Sequence, residues 1–211
     1  FSRVANPLRL FGANIALKNN KMPVTIQGSN FLRPINYQEN LGSAQCKSAV
    51  MLAALKTPGI TKIKAKKSRD HTELLYKSLK IPIKLKSINN FDYIEIKGIT
   101  NFNNFIYKVP GDISSCAFFL VLTLLSKKSA IIIKDININK CRSGVIRILN
   151  KMNAKIIVKN KKKYKGEMMA DIVAKSKNNL RAVNCSKEIN SSAIDEFLVI
   201  FLVAAKSKGI S

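Results

Sequence analysis

An apolar helix pattern that returns three times, each time behind a small polar start, limits most strictly what this chain can fold into. The copies begin Gly42-Ser43-Ala44-Gln45-Cys46-Lys47-Ser48-Ala49, Ser114-Ser115-Cys116-Ala117-Phe118 and Ser191-Ser192-Ala193-Ile194-Asp195-Glu196-Phe197, and each continues into an apolar run. Self-similarity at a long period marks stacked supersecondary units. The serines are suited to accept a bond from an orphan N–H of a first helical turn. Helices apolar nearly all round are expected to lie inside the protein.

A second element recurs between these helices: an amphipathic helix that ends in a turn and short strands. Residues 6–15, 72–83 and 145–156 are its three copies, followed by Val24-Thr25-Ile26, Tyr93-Ile94-Glu95-Ile96 and Asp171-Ile172-Val173. Strands such as Ile131-Ile132-Ile133 follow the apolar helices. The unit reads as buried helix, strand, amphipathic helix, strands, with a period of about 70 residues. That predicts an α/β (α+β) fold of repeated βαβαββ units around buried helices. Ordinary α/β alternation is the alternative; the recurring serine start favours repetition. Val109-Pro110-Gly111-Asp112 interrupts the pattern and predicts a junction, dividing the chain into 1–109 and 110–211.

Composition closes off several classes. A chain of 211 residues that is 46% hydrophobic can bury a sizeable core. No apolar run approaches the roughly 20 residues that span a bilayer; the longest, residues 197–205, stops at Lys206 and reads as a buried helix. The formal net charge of +25 is compatible with nucleic acid, membranes or anionic metabolites. Its lysines are scattered, however, with one tight cluster at Lys161-Lys162-Lys163, and no stacking aromatics or nucleic-acid motif accompany them. The charge therefore reads as solvated surface, and neither nucleic acid nor membrane is expected as a partner.

Cys46, Cys116, Cys141 and Cys185 show no CxxC spacing, and the single His71 cannot complete a zinc site with them. They read as buried or incidental thiols of a reducing, cytoplasmic protein. Phe1-Ser2-Arg3 offers no initiator Met and no signal pattern. Lys208-Gly209-Ile210-Ser211 reads as a helix stop and the start of a strand, so both ends are expected to be cut.

Several blocks resemble one family. Ser43-Ala44-Gln45-x-Lys47-Ser48-Ala49, Ser68-Arg69-Asp70-His71-Thr72-Glu73, Val109-Pro110-Gly111-Asp112-Ile113-Ser114-Ser115 and Ile194-Asp195-Glu196 are similar, in order, to blocks of the 3-phosphoshikimate 1-carboxyvinyltransferase (EPSP synthase) family. The first two resemble its glyphosate-tolerant class. Arg3-Val4-x-Asn6-Pro7-Leu8, Arg142-x-Gly144 and Gly166-Glu167 ahead of Ala170-Asp171-Ile172 extend the resemblance along the chain. It departs at Asn153 and Ala182, where glycine is usual, and at Leu198, where proline often occurs.

The resemblance implies two similar domains, each of three βαβαββ units, with the substrate between them. Residues 1–109 would be the later part of the first domain and 110–211 the beginning of the return into the second. The implied reaction transfers the enolpyruvyl group of phosphoenolpyruvate to the 5-hydroxyl of shikimate 3-phosphate and releases phosphate, a step toward the aromatic amino acids, with no metal or organic cofactor. A monomer is expected when the chain is complete. By resemblance Ser43, Ala44 and Gln45 hold shikimate 3-phosphate, with Gln45 also reaching phosphoenolpyruvate, and Arg69 grips the phosphate. Asp195 binds the substrate and accepts the hydroxyl proton.

Each residue also has a local reading. A helix N-terminus offers free donors and a positive dipole end that suit a phosphate, yet Ser43 would serve equally as a cap. An Arg fork can grip a phosphate bidentately, yet Asp70-x-x-Glu73 next to Arg69 is a capping-box spacing. Ser192-x-x-Asp195 is another. Asp70, His71, Asp112 and Arg142 read as structural, and Glu196 is expected to point away from Asp195. The sister enzyme acting on UDP-N-acetylglucosamine is the nearest rival, but its reactive-cysteine loop is not evident. The family's Gly-Asp-Lys-Ser block and its downstream Lys and Arg residues fall outside the sequence, so the 211 residues alone are expected to show no turnover.

Overall fold

Period-two patterning sets the strands. The computed structural model describes residues 1–99 and 101–211, and of Lys187 the backbone only. In β4 (Ile60–Lys66) Thr61, Ile63 and Ala65 turn inward while lysines face out, the alternation of a half-buried strand. β6 (Phe91–Lys97) runs antiparallel to it with Ile63 opposite Ile94, so the two inward rows form one apolar face.

The chain divides into two compact units, Phe1–Phe105 and Ile106–Ser211. The first opens with helix α1 (Ser2–Phe11) and the antiparallel pair β1 (Asn14–Lys18) and β2 (Lys21–Gln27). Then come β3 (Asn36–Glu39), α2 (Ala44–Leu55), β4, α3 (His71–Ser78), β5 (Ile83–Ile88) and β6. The sheet order is β3-β4-β6-β5. β3 and β4 are parallel, which requires the α2 crossover, and the other pairs are antiparallel. This segment is one complete βαβαββ unit, as the sequence pattern predicts.

The second unit repeats the plan. Helix α4 (Ile113–Leu125), β7 (Ala130–Asn137), α5 (Gly144–Lys151), β8 (Ile157–Tyr164) and β9 (Glu167–Lys175) follow in order, with an antiparallel sheet β7-β9-β8. A parallel bridge between Gly111 and Ile136 stands where the unit's first strand belongs. A further parallel bridge, Arg181 with Lys208, flanks α6 (Lys187–Asn190), a 3-10 turn (Ile194–Glu196) and α7 (Phe197–Ala205). It opens the next repeat. The three apolar helices thus start at residues 44, 113 and 197, the last interval lengthened by α6 and the 3-10 turn.

Each unit has its own core. Phe11, Val50, Met51, Ala54, Ile63 and Ile94 centre the first, and Leu120, Leu124, Ile148, Leu149, Met152 and Ile172 the second. Fully burying each of these side chains larger than Ala54 contributes about 1.5–3 kcal/mol before the opposing chain entropy.

Two expectations from the sequence are corrected here. The apolar helices are buried on one face only. Phe118 and Leu122 of α4 are each 64% exposed and Leu198 of α7 is 79% exposed, because α4 packs on its sheet with one side and α7 packs with one side on α4 and α5. The serine cap does not recur three times either. Ser43 caps α2, accepting from the Cys46 amide at 3.3 Å. Asp112 caps α4 by accepting from the Ser115 amide at 2.9 Å, and the start of α7 has no side-chain cap. Asp112, two residues ahead of Ser114, occupies the extended N-cap position, which leaves both serines inside the first helical turn.

Asn153, standing at a glycine position of the resembling family, adopts φ +67°, a left-handed turn conformation that Asn tolerates better than most residues. Gly98 meets a tighter demand. A Cβ there would lie 1.9 Å from the Thr57 carbonyl oxygen and 2.8 Å from its carbon, and both are backbone atoms. Gly98→Ala is therefore expected to cost about 3 kcal/mol, the upper end of ordinary overpacking. Thermal unfolding of the full-length protein would check it: a midpoint within roughly 2 °C of the parent, below the shift expected for that loss, would refute the clash.

Candidate active site

In the first unit, the polar residues converge on the start of α2. Glu39, buried at the end of β3, accepts from the Leu41 amide at 3.0 Å and the Gly42 amide at 2.7 Å, which shapes the turn into the helix. Gly42 lies at φ +76°, and a Cβ added there would lie 3.6 Å from the Lys67 carbonyl oxygen. The turn before α2 therefore sits beside the segment leading to Arg69. Ser43 takes extended backbone and caps the helix, while Ala44 and Gln45 form its first turn. Gln45 is exposed, and its side-chain oxygen accepts from the Arg3 guanidinium of α1 at 3.0 Å. The result is a helix N-terminus with a hydroxyl, an amide and two arginine-bearing segments close by, a suitable seat for an anion.

The capping box expected at Asp70-x-x-Glu73 does not form: Asp70 makes no side-chain cap to α3. Glu73 turns inward instead, its carboxylate 2.6 Å from the Lys47 ammonium of α2. Burial pushes the Glu73 carboxyl above its usual range, although Lys47 pulls the other way.

In the second unit, Arg142 is the hub. Its guanidinium donates to Asp195 Oδ2 at 3.0 Å, to Asp112 Oδ1 at 3.1 Å and to the Ser114 hydroxyl. Ser114 in turn donates to Glu196, which is 3% exposed and lies 3.9 Å from Arg142. Three carboxylates from two distant segments thus surround one cation. Burial resists ionisation of Asp112. The Ser115 amide and hydroxyl, the Ser114 amide and Arg142 outweigh it and hold that carboxyl below the usual range. The Asp195 side chain is 46% exposed, so a solute can reach it, while Arg142 sets its orientation.

The local readings change accordingly. Asp195 sits in the 3-10 turn before α7 rather than in a capping box, since the Ser192 hydroxyl donates to the Ile189 carbonyl and accepts from Arg147. Glu196 does not point away from the cluster but joins it through Ser114. Arg142 and Asp112 belong to the constellation around Asp195, which sequence spacing could not show, because 53 and 30 residues separate the pairs that Arg142 makes. Arg3, 42 residues from Gln45, was hidden for the same reason.

Cys46 and Cys116 are buried, Cys141 and Cys185 partly so, and all four are free thiols. Burial, with Asp112 nearby, pushes the Cys116 thiol up to about 12, leaving little thiolate. Among the described residues no helix is long and apolar enough to cross a membrane.

The family model for EPSP synthase (3-phosphoshikimate 1-carboxyvinyltransferase) matches residues 1–211. The chain belongs to this family. A 3-phosphoshikimate 1-carboxyvinyltransferase of Ruthia magnifica subsp. Calyptogena magnifica is 41% identical over 208 residues, covering 98% of this chain and 47% of that protein. The solved EPSP synthase of Acinetobacter baumannii is 34% identical with a TM-score of 0.83, over 99% of this chain and 46% of that one. The enolpyruvyl transferase NikO of Streptomyces tendae shares the fold, with a TM-score of 0.73 at 12% identity over 99% of this chain and 49% of that one. The chain spans about half the length of the curated relatives it matches.

Proposed function

We propose that this chain forms part of an enzyme that transfers the enolpyruvyl group of phosphoenolpyruvate to the 5-hydroxyl of shikimate 3-phosphate with release of phosphate. One observation carries the reading: in a chain that matches this family from Phe1 to Ser211, Asp195 is accessible and oriented by an arginine fork. In this reading Ser43, Ala44 and Gln45 bind the phosphorylated acceptor at the start of α2, and Arg69 adds a guanidinium to the same phosphate. Asp195 binds the acceptor and takes the proton of the attacking hydroxyl, which requires hydrogen-bond reach to it. The transfer needs charge stabilisation and proton movement, both supplied by side chains and backbone donors.

Residues 1–109 are proposed as the later part of one enolpyruvyl transferase-like domain and 110–211 as the beginning of the return into the other. A cytoplasmic monomer acting on two small anions fits this reading, without nucleic acid or membrane as partner. The lack of a reactive-cysteine loop and the Ser43-Ala44-Gln45-x-Lys47-Ser48-Ala49 and Ser68-Arg69-Asp70-His71-Thr72-Glu73 blocks favour shikimate 3-phosphate over a UDP-linked sugar.

Phosphate release by the full-length protein, dependent on both shikimate 3-phosphate and phosphoenolpyruvate, is the expected result. Preference for UDP-N-acetylglucosamine as acceptor would overturn it. The 211-residue chain alone is expected to release no phosphate in the same assay.

A further inference from the structure

Lys47 and Glu73 are an unusual investment for a surface enzyme domain. The Lys47 side chain is 0% exposed and that of Glu73 2%, with Nζ and Oε1 2.6 Å apart. Beyond this ion contact and a backbone hydrogen bond at Glu73 itself, the described residues give these charges no further hydrogen-bond partner, and the buried Tyr76 hydroxyl beside them has none. Buried pairs with so little support contribute little to stability, because desolvation of both charges offsets their attraction, and apolar replacements are often neutral or better. The value of this pair therefore lies elsewhere, and its position shows where.

Lys47 stands four residues, one helical turn, beyond Ser43, and Glu73 stands four beyond Arg69. Immediately beside the pair, the Ser48 and Thr72 hydroxyls hydrogen-bond at 2.7 Å, again joining α2 to α3. At the mouth of the two helices, a Cβ added at Gly42 would lie 3.6 Å from the Lys67 carbonyl oxygen. One tie between two helices leaves each free to roll about its own axis. Two ties at adjacent positions remove that freedom. The low dielectric around the ion pair makes its preferred distance steep.

We propose that Lys47 and Glu73 are positioning residues: their buried ion pair, with the Ser48–Thr72 bond, sets the spacing and roll of the first turns of α2 and α3 and so fixes where Arg69 stands relative to Ser43 and Gln45. The inference rests on the proposed binding of shikimate 3-phosphate at that start of α2. Neither residue touches the substrate. Both act through the helix ends they lock together.

The test compares Lys47→Met, Glu73→Met and the double variant in the full-length protein. Each single change leaves a buried charge unpaired and is expected to lower the unfolding midpoint. The double variant is expected to recover that midpoint yet keep a KM for shikimate 3-phosphate raised about tenfold, with kcat within about threefold of the parent, the signature of lost ground-state positioning. A double variant that recovers both the midpoint and the parental KM would overturn the inference, because the pair would then be structural only. Should the double variant fail to fold, Ser48→Ala with Thr72→Val keeps the ion pair and removes the second tie. A rise of about threefold in the same KM supports the lock, since uniform binding has been lost, and an unchanged KM overturns it. An unaltered full-length protein that shows no turnover of shikimate 3-phosphate would remove the functional reading and this inference together. Normal turnover with unaffected variants would remove the inference alone.

Discussion

Replacing Asp195 with Asn in the full-length protein is expected to lower kcat about 10³-fold, inside the 10²–10⁴ range that a positioned general base contributes. The substitution is nearly isosteric, and its amide oxygen can still accept from Arg142, which now meets Asp195 at 3.0 Å. Because the side chain is 46% exposed, no buried charge or cavity is created. The loss should therefore fall on the chemical step, with KM for both substrates within a few fold and an unchanged unfolding midpoint. Steady-state kinetics decide the matter. A kcat within tenfold of the parent would take Asp195 out of the mechanism, and an equal loss of stability would mean that the residue is chiefly structural.

Arg142→Met should be the most damaging single change in the second unit. It leaves Asp112, Asp195 and Glu196 gathered around an apolar side chain, with Glu196 only 3% exposed. Removing one partner of a fully buried pair costs 3–5 kcal/mol. Water screens the half-exposed Asp112 and Asp195, so a loss of about 2–4 kcal/mol is the appropriate expectation here. Without the guanidinium, Asp195 also loses its fixed orientation, and kcat is expected to fall roughly 100-fold, as for a misplaced catalytic group. Denaturant unfolding and kinetics on the same preparation separate the two effects. Stability within about 0.5 kcal/mol of the parent, the scatter of a neutral surface change, would show that the cluster is held without Arg142.

How much of this could be read from the residues depends on the range of each interaction. The βαβαββ plan was legible because periodicity is local: the rows Thr61, Ile63, Ala65 and Asp92, Ile94, Ile96 declare their strands within seven residues. The Ser43 cap was legible for the same reason. The cap of α4 went to Asp112 because two residue types able to cap stood within two residues of each other, and spacing alone does not rank them. The exposed faces of α4 and α7 were not legible, since an apolar pattern reports what a helix would bury and not what stands beside it. The joins Arg142–Asp195, Arg3–Gln45 and Lys47–Glu73 link segments that only the tertiary fold brings together. For Asp70-x-x-Glu73 the local motif was present but lost: a buried ammonium attracts a carboxylate more strongly than an amide at a helix start.

The hub at Arg142 bears on how such a chain can drift. Of its 37 basic residues, 30 are lysine and seven are arginine. Yet Arg3, Arg9, Arg33, Arg142 and Arg147 each donate a side-chain hydrogen bond to a distant or backbone acceptor. An ammonium carries the same charge but is a single point. It cannot span Asp112, Ser114 and Asp195 as a planar fork does. Where several acceptors must be held at fixed angles, as at Arg142, an ammonium of equal charge is no substitute for the guanidinium.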